Sequence, residues 1–353
     1  MADLAQTLMT TLAVGSLYAL IALGYTMVYG TLKFINFAHS DIFVLGAWFS
    51  YTLATWILPW VGVDPYRQAG IVPPIWVAAA ILISSMALCG IVGFAIQRFA
   101  YRPLRKAPRL NVLITAIGVS LLLQNLGQLD ITVQDLPLVG AYLNKFLQMI
   151  PGVSAICGQH FGFGAIPQRM PDLLPTLNLL TLSLPSSSGN RDVVVSLVDA
   201  VIIGASVALM LALEYLVFRT KMGTAMRAVS FDFDAAALMG VPVDRVVSFT
   251  FVLGSVLAAA AGFLYSLKYP GLNQTAFPTW VLLGLKAFVA AVIGGIGNVR
   301  GAVLGGFVIA FVEQFGSFYL GADYRDVYVF ALLIAILLVR PSGLLGSTVQ
   351  EKV

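Results

Sequence analysis

Lys286 and Glu313 are ionisable residues inside apolar segments, and their types and spacing make them the first candidates for chemistry. Lys286 lies in the apolar segment 280–296 and Glu313 in the next one, 301–320. At 1.5 Å per residue, both lie about 10 Å from the same end of their helices. A charge within a membrane-spanning helix costs about 2.5–3.5 kcal/mol on insertion scales, so it calls for a partner or a function. The two residues could form a structural ion pair, which we favour, or line a path for a solute that carries both charges.

Asn36 and His39 form a second polar group, between the apolar segments 7–30 and 41–60. Short polar side chains just before a helix commonly cap its first turn. We therefore favour capping, by Asn36 or Ser40, of a helix that begins near residue 41. The alternative is that Asn36 and His39 contact a solute inside the helix bundle.

The segment 219–245 contains a short helix-forming sequence. It reads Asp234-Ala235-Ala236-Ala237-Leu238-Met239-Gly240, followed by Val241-Pro242. The alanines favour a helix, and the glycine and proline are typical of its end. A short exposed helix with a small-residue face can fit a groove on a partner protein. It can equally cover the end of the bundle at the membrane interface, and the local sequence leaves both interpretations open.

Glycines are concentrated between residues 294 and 306. Those at 297, 301 and 305 recur every four residues, a spacing that places them on one helix face and lets another backbone approach. The stretch 294–298 also suits a tight turn. A nucleotide-binding loop is disfavoured because the glycines join two apolar segments rather than a strand and a helix. We assign a helix-packing role to Gly294, Gly295, Gly297, Gly301 and Gly305.

Motifs that would indicate an enzyme are missing from the sequence. The Gly-Lys dipeptide of a Walker A loop does not occur, the chain has two histidines in all, and it has no Gly-x-Ser-x-Gly sequence. The basic residues form no face typical of nucleic-acid binding. We therefore predict no catalytic residue, no metal site, no cofactor bound by this chain and no nucleic-acid partner.

The composition indicates that lipid is the solvent for most of the chain. Of 353 residues, 59% are apolar and 10% are charged, whereas an ordinary soluble domain is about 25% charged. A membrane-spanning helix needs about 20 apolar residues. Hydropathy predicts an all-α polytopic bundle of about nine transmembrane helices, within a range of about eight to ten. They are expected at 7–30, 41–60, 73–97, 110–129, 193–217, 246–267, 280–296, 301–320 and 326–339.

The Lys and Arg residues predict that the N-terminus lies outside and the C-terminus inside. The loop 98–109 holds five basic residues and no acid, which is typical of a cytoplasmic loop. Alternating from it places thirteen of the twenty Lys and Arg residues inside and six outside. Residues 138–150 are too short to span and predict an interfacial helix. The chain then divides into helices 1–4 (1–129), an extracytoplasmic insertion (130–192) and helices 5–9 (193–353), with a cytoplasmic loop at 219–245.

Several sequence segments together carry a family resemblance. They are GSLYALIALG at 15–24, NFAHSD at 36–41, MRAV at 226–229, AALMGV at 236–241, KAFVAAVIGGIG at 286–297 and RPSGLLG at 340–346. The set resembles the branched-chain amino acid (leucine/isoleucine/valine) permease family of ABC importers. Asp-Ala-Ala-x-x-x-Gly at 234–240 is similar to the Glu-Ala-Ala-x-x-x-Gly signature of importer permeases, with Asp234 in place of the usual Glu.

This resemblance implies a bacterial inner-membrane importer in which the chain is one permease subunit. The implied complex also has a second permease, identical or related, two subunits that bind ATP and Mg, and an extracytoplasmic solute-binding protein. The loop helix of such permeases docks into the ATPase subunit and would transmit its motion to the membrane helices. The implied solutes are branched-chain or related amino acids, and urea and short amides occur within the same broad family.

Two other kinds of membrane protein remain as alternatives. A stand-alone secondary transporter or channel for a small polar solute would carry coupling-ion ligands at mid-depth and work without an ATPase. A membrane scaffold that transports nothing would tolerate replacement of both Lys286 and Glu313.

Overall fold

The computed structural model describes residues 2–65, 72–104, 107–128, 131–132, 160–161, 167–175, 177–186, 189–273 and 278–346. Over these residues the chain is a helix bundle with three small antiparallel sheets. The α-helices are α1 (Ala2–Leu32), α2 (His39–Ile57), α3 (Ile75–Ile96), α4 (Arg109–Leu126), α5 (Leu197–Arg219), α6 (Lys221–Phe231), α7 (Phe233–Leu238), α8 (Val243–Lys268), α9 (Pro278–Gly294), α10 (Val299–Leu320) and α11 (Arg325–Val339).

Each of the nine predicted apolar segments coincides with one of these helices, so the prediction of a polytopic helical membrane protein is confirmed. Two predicted starts differ from the structure by four residues or more. The first segment was expected from residue 7, but α1 begins at Ala2, and the fifth was expected from residue 193, but α5 begins at Leu197. Residues up to Ser196 belong to a strand, and the Ser196 side chain caps α5 by accepting a hydrogen bond from the Asp199 backbone N–H at 3.1 Å. Hydropathy marks a run of apolar residues but not where its backbone turns from strand to helix.

Within the described residues, six stretches are long and apolar enough to cross a membrane by themselves. They are Ala2–Leu32, His39–Val61, Ile75–Tyr101, Leu197–Arg219, Val243–Lys268 and Val299–Leu320. Helices α4, α9 and α11 are shorter, with 18, 17 and 15 residues. The count of nine spans and the outward N-terminus therefore stay predictions.

Helices α1 and α8 form the centre of the bundle, and both are buried along most of their length. Helix α1 packs against α5, α8, α9 and α10, while α2 and α3 pack against α8. Glycines permit this packing, since a side chain at Gly262 of α8 would collide with the Phe43 carbonyl of α2. Large apolar side chains such as Ile91, Leu121 and Leu211 point outward, as suits a surface that faces lipid.

Strands cover one end of the bundle, which we call the hairpin end. Strands β4 (Asn178–Ser186) and β5 (Gly189–Ser196) form a hairpin, and Gln6 of α1 exchanges two side-chain hydrogen bonds with the Val194 backbone. The remaining pairs are β1 (Ile131–Thr132) with β2 (His160–Phe161), and β3 (Gln168–Arg169) with β6 (Gly271–Leu272). The predicted interfacial helix at 138–150 lies outside the described residues.

The opposite end carries the short helices α6 and α7, and we call it the α7 end. Thr220 caps α6 by accepting a hydrogen bond from the Gly223 N–H at 3.1 Å. Arg102 and Asp244 form an exposed ion pair of 2.7 Å beside α7. The two ends therefore differ in kind, with strands at one and short helices at the other.

Candidate functional site

Lys286 is the centre of a charged cluster near the hairpin end. Its ammonium group lies 3.0 Å from Glu313 Oε1 and 2.6 Å from Asp326 Oδ1. The Lys286 and Glu313 side chains are 7% and 4% exposed, whereas Asp326 is 47% exposed. The ion pair expected between consecutive helices α9 and α10 is therefore present, and a third helix, α11, adds a second carboxylate to the same ammonium group.

Glu313 is held by more groups than Lys286 alone. Tyr18 of α1 donates a hydrogen bond of 2.7 Å to Glu313 Oε2. Arg325 Nε lies 3.7 Å from Glu313 Oε1. Side chains from α1, α9 and α11 thus converge on one buried carboxylate, which satisfies the rule that a buried charge must be paired and hydrogen-bonded.

The cluster lines a cavity of about 450 Å³. This volume falls within the range of small-molecule sites, about 300–1,000 Å³. One part of the wall is aliphatic, and the rest combines both signs of charge with neutral polar groups. The aliphatic residues are Val14, Leu17, Ile21, Leu282 and Leu283, and the polar ones include Tyr18, Tyr269, Lys286, Glu313, Gln314, Asp323, Arg325 and Asp326. Such a wall can bind a solute that has an apolar part and charges of both signs.

Tyr269, which follows the last residue of α8, adds a hydroxyl to this wall. Burial raises the pKa of Tyr269 above its usual range. The phenol therefore stays neutral and offers both a donor and an acceptor to the cavity.

Asn36 and His39 lie apart from the cavity, whose described lining includes neither. Tyr101 donates a hydrogen bond of 2.6 Å to Asn36 Oδ1, and His39 Nε2 lies 3.2 Å from the carbonyl oxygen of Ile21. The capping prediction is wrong, because Ala38 is the N-cap of α2 and no side chain caps it. Both side chains instead make interior contacts. Asn36 joins the α1–α2 connection to Tyr101, which follows α3, and His39 joins α2 to α1.

The predicted short helix in the 219–245 loop is present as α7. Asp232 caps it, with Oδ1 accepting hydrogen bonds from the N–H groups of Asp234 at 3.0 Å and Ala235 at 2.8 Å. Gly240 ends it at a φ of +81°, which favours glycine. Ala236 faces inward, and Pro242 precedes α8 as its N-cap.

Exposed apolar side chains lie at both ends of this helix. The Leu238 side chain is 89% exposed, and Phe231 and Met239 are similarly uncovered. We call Phe231, Leu238 and Met239 the α7 surface. Large apolar side chains this exposed are typical of a contact with a protein or a membrane.

The glycines between α9 and α10 have two separate roles. Gly301 and Gly305 lie in α10, where a side chain would collide with the carbonyl oxygens of Gly294 and Ala290 in α9. Gly295 and Gly297 lie in the connecting turn with φ values of +106° and +93°. The tight turn predicted at 294–298 is therefore present. The helix-packing role predicted for Gly295 and Gly297 is wrong, because both precede the start of α10 at Val299 and lie outside any helix.

Several residues of these sites were missed from sequence. Tyr18, Asp326 and Asp232 were not singled out, and Arg325 was used only to infer orientation. The position of Tyr18, a hydroxyl-bearing residue inside the long apolar segment 7–30, is only a weak indication that it belongs to a site. The adjacent Arg325 and Asp326 at the start of the last apolar segment form a stronger one.

The chain is similar throughout its length to known permeases. The family described as "Branched-chain amino acid transport system / permease component" matches residues 7–337. The permease LivH of Salmonella typhimurium is 35% identical over 349 residues, which cover 99% of this chain and 97% of LivH. BraD of Pseudomonas aeruginosa is 36% identical over 348 residues, with the same two coverages.

A more distant relative also matches most of the chain. A probable branched-chain amino acid permease of Methanocaldococcus jannaschii is 26% identical over 340 residues, covering 94% of this chain and 89% of that protein. No solved structure matches the chain. The match over nearly the whole length, together with the apolar helices, shows that this multi-pass membrane protein belongs to the family of permease components of branched-chain amino acid transport systems.

Proposed function

We propose that the chain moves branched-chain or related aliphatic amino acids inward through the bacterial inner membrane, as the permease subunit of an ABC importer. The observation that carries this proposal is the similarity to LivH and BraD over 99% of the chain. Its partners would be a second permease chain, two ATP-binding subunits and an extracytoplasmic solute-binding protein. ATP and Mg would be bound by the partner ATPases, so the chain itself performs transport rather than hydrolysis.

The α7 surface is the proposed contact with an ATP-binding subunit. Its exposed Phe231, Leu238 and Met239 supply apolar area, and an amphipathic helix can place such residues in a groove. Helix α7 packs on α6 and α8, and α8 runs through the centre of the bundle. A movement imposed on α7 would therefore reach the buried core directly.

The cavity near Lys286 is the proposed part of the translocation path. It lies near the hairpin end, which the Lys and Arg bias predicts to be outside. Its wall carries both signs of charge beside Val14, Leu17 and Ile21. This aliphatic wall favours an amino acid with an apolar side chain over urea or a short amide, which have little apolar surface to bury.

Cross-linking at α7 tests the proposed coupling. A photoactivatable thiol reagent on Leu238→Cys should capture the ATP-binding subunit in membranes that contain the complete importer. Ile91→Cys is the control, because Ile91 is exposed on the apolar outer face of α3. Failure of Leu238→Cys to capture an ATPase above the level of Ile91→Cys would contradict the proposal.

Uptake assays separate the importer from its alternatives. Leucine uptake should require both the chain and an intact ATP-binding subunit. Undiminished uptake in cells without the ATPase would favour a secondary transporter or channel. Normal uptake after replacement of both Lys286 and Glu313 would show that the cavity is not part of the translocation path.

A further inference from the structure

We propose that Asp326 occupies the position that a ligand carboxylate takes on Lys286, so that an aliphatic amino acid binds in the cavity by exchanging with Asp326. This inference rests on the proposed transport function and adds to it a binding step within the permease itself. The class of ligand is a small aliphatic molecule with a carboxylate. The residue that would leave is Asp326 of α11, and the residue that would stay is Glu313 of α10.

The two carboxylates on Lys286 are held very differently. Glu313 is buried, accepts a hydrogen bond from Tyr18 at 2.7 Å and lies near Arg325. Asp326 is 47% exposed and lies 2.6 Å from the Lys286 ammonium group. Moving Glu313 would break contacts to three helices, whereas moving Asp326 breaks one ion pair that is already partly in solvent. Asp326 is therefore the carboxylate that can be displaced.

Asp326 has a favourable place to go after displacement. It lies in the first turn of α11, where the helix dipole stabilises a negative charge. Arg325 is its neighbour in the chain. Release of the Asp326 side chain into water therefore leaves no buried carboxylate without a partner.

Exchange also keeps the buried cation paired throughout. Removing one partner of a buried ion pair is strongly destabilising because it leaves an uncompensated charge. An incoming carboxylate would replace Asp326 on Lys286 while Glu313 remains in place. The number of carboxylates on Lys286 stays at two, so the site can fill and empty without exposing a lone charge to the apolar interior.

The remaining cavity wall fits the rest of such a ligand. Leu283, Leu17 and Val14 line the cavity together with Lys286 and can contact an aliphatic side chain. Tyr269 and Gln314 supply neutral oxygen acceptors for an ammonium group. Because Asp326 joins α11 to α9 through Lys286, its displacement would also release one link between these helices.

Leucine binding by the full-length chain in phospholipid nanodiscs, measured by calorimetry, tests the exchange. Asp326→Asn removes the competing charge and should lower the Kd for leucine by about three- to five-fold, the value of one half-exposed ion pair. Glu214→Gln is the matched control, because it removes the carboxylate of another part-exposed ion pair, that with Arg300 at 2.6 Å, and the described lining of the cavity does not include Glu214. The control should leave the Kd within about two-fold of the unchanged chain.

Leucinol, which lacks the carboxylate, supplies the second arm. Its Kd should not fall in Asp326→Asn, because leucinol has no carboxylate that could take the place of Asp326 on Lys286. If Asp326→Asn fails to fold, Asp326→Ser replaces it, since serine also suits the first turn of a helix.

Three results would overturn the proposal. They are an unchanged or weaker leucine Kd in Asp326→Asn, an equal gain in Glu214→Gln, and absence of leucine binding to the chain and its variants. Failure of the transport function itself is recognised separately, as leucine uptake by the complete importer that does not depend on its ATPase. A chain that transports normally but shows no gain in Asp326→Asn contradicts the exchange alone.

Discussion

The Lys286 ammonium group lies 3.0 Å from Glu313 Oε1, and both side chains are almost completely buried. The sequence posed a choice between a structural pair and a polar wall, but the two residues form an ion pair and line a cavity at once. A buried ion pair is weak evidence for stability, because desolvation can cost more than the attraction returns. Its position on a cavity wall is therefore the stronger argument for a role in transport.

Replacing Lys286 with methionine should abolish leucine uptake while the chain still inserts into the membrane. Glu313 would keep its hydrogen bond from Tyr18 and its proximity to Arg325, so the fold retains partners for the carboxylate. The cavity, however, loses the cation proposed to bind the ligand carboxylate. The measurements are uptake by the complete importer and the amount of chain in the membrane fraction.

Lys268→Met is the control for this prediction. Lys268 pairs with Asp199, both partly buried near the hairpin end, and the described cavity wall does not include either residue. Uptake by Lys268→Met should stay close to that of the unchanged chain. Normal uptake by Lys286→Met would show that the Lys286–Glu313 pair is structural only.

Replacing Tyr18 with phenylalanine should lower the thermal stability of the chain. The change removes the hydrogen bond to the Glu313 carboxylate, and a bond to a charged group contributes about 1.5–3 kcal/mol. Loss of the helical circular dichroism signal on heating in detergent measures the effect. Tyr29→Phe, on the same helix, is the control and should have the same melting temperature as the unchanged chain. Equal melting of Tyr18→Phe and Tyr29→Phe would mean that the Tyr18 hydroxyl contributes nothing to stability.

Replacing Asp232 with alanine should weaken coupling without affecting the cavity. Its carboxylate accepts two backbone hydrogen bonds at the start of α7, and loss of such a cap costs about 0.5–2 kcal/mol. A helix of six residues should then fray, and ATP-driven uptake should fall. The leucine Kd of the isolated chain should not change.

Asp232→Asn separates the cap from the charge. Asparagine caps helices about as well as aspartate, so this variant should restore uptake. Equal loss of uptake in Asp232→Ala and Asp232→Asn would assign the effect to the negative charge, contrary to the capping argument.

The helices were predictable from sequence because membrane thickness sets both their length and their composition. The Lys286–Glu313 pair was also predictable, because a short turn makes consecutive helices neighbours. The Tyr18–Glu313 hydrogen bond spans 295 positions in the chain, and it depends on how α1 packs against α10. No local pattern around Tyr18 carries that information.

Backbone conformation accounts for the other errors. Spacing placed Gly297 on a helix face with Gly301, but a φ of +93° places it in the turn. The Ala38 cap of α2 likewise reflects the path of the α1–α2 connection rather than the polar side chains of Asn36 and Ser40. The sequence pattern identified which residues are polar or small, but the packing of the helices determines which of them are in contact.

Replacing Gly305 with alanine should destabilise the bundle, whereas the same change at Gly118 should not. A methyl group at Gly305 would collide with the Ala290 carbonyl oxygen of α9, and one at Gly118 meets open space. Overpacking costs about 1–3 kcal/mol, while alanine in place of an exposed helical glycine gains up to about 1 kcal/mol. Melting in detergent should therefore move in opposite directions for the two variants. A Gly305→Ala chain as stable as Gly118→Ala would contradict the close packing of α9 on α10, on which the placement of Lys286 beside Glu313 depends.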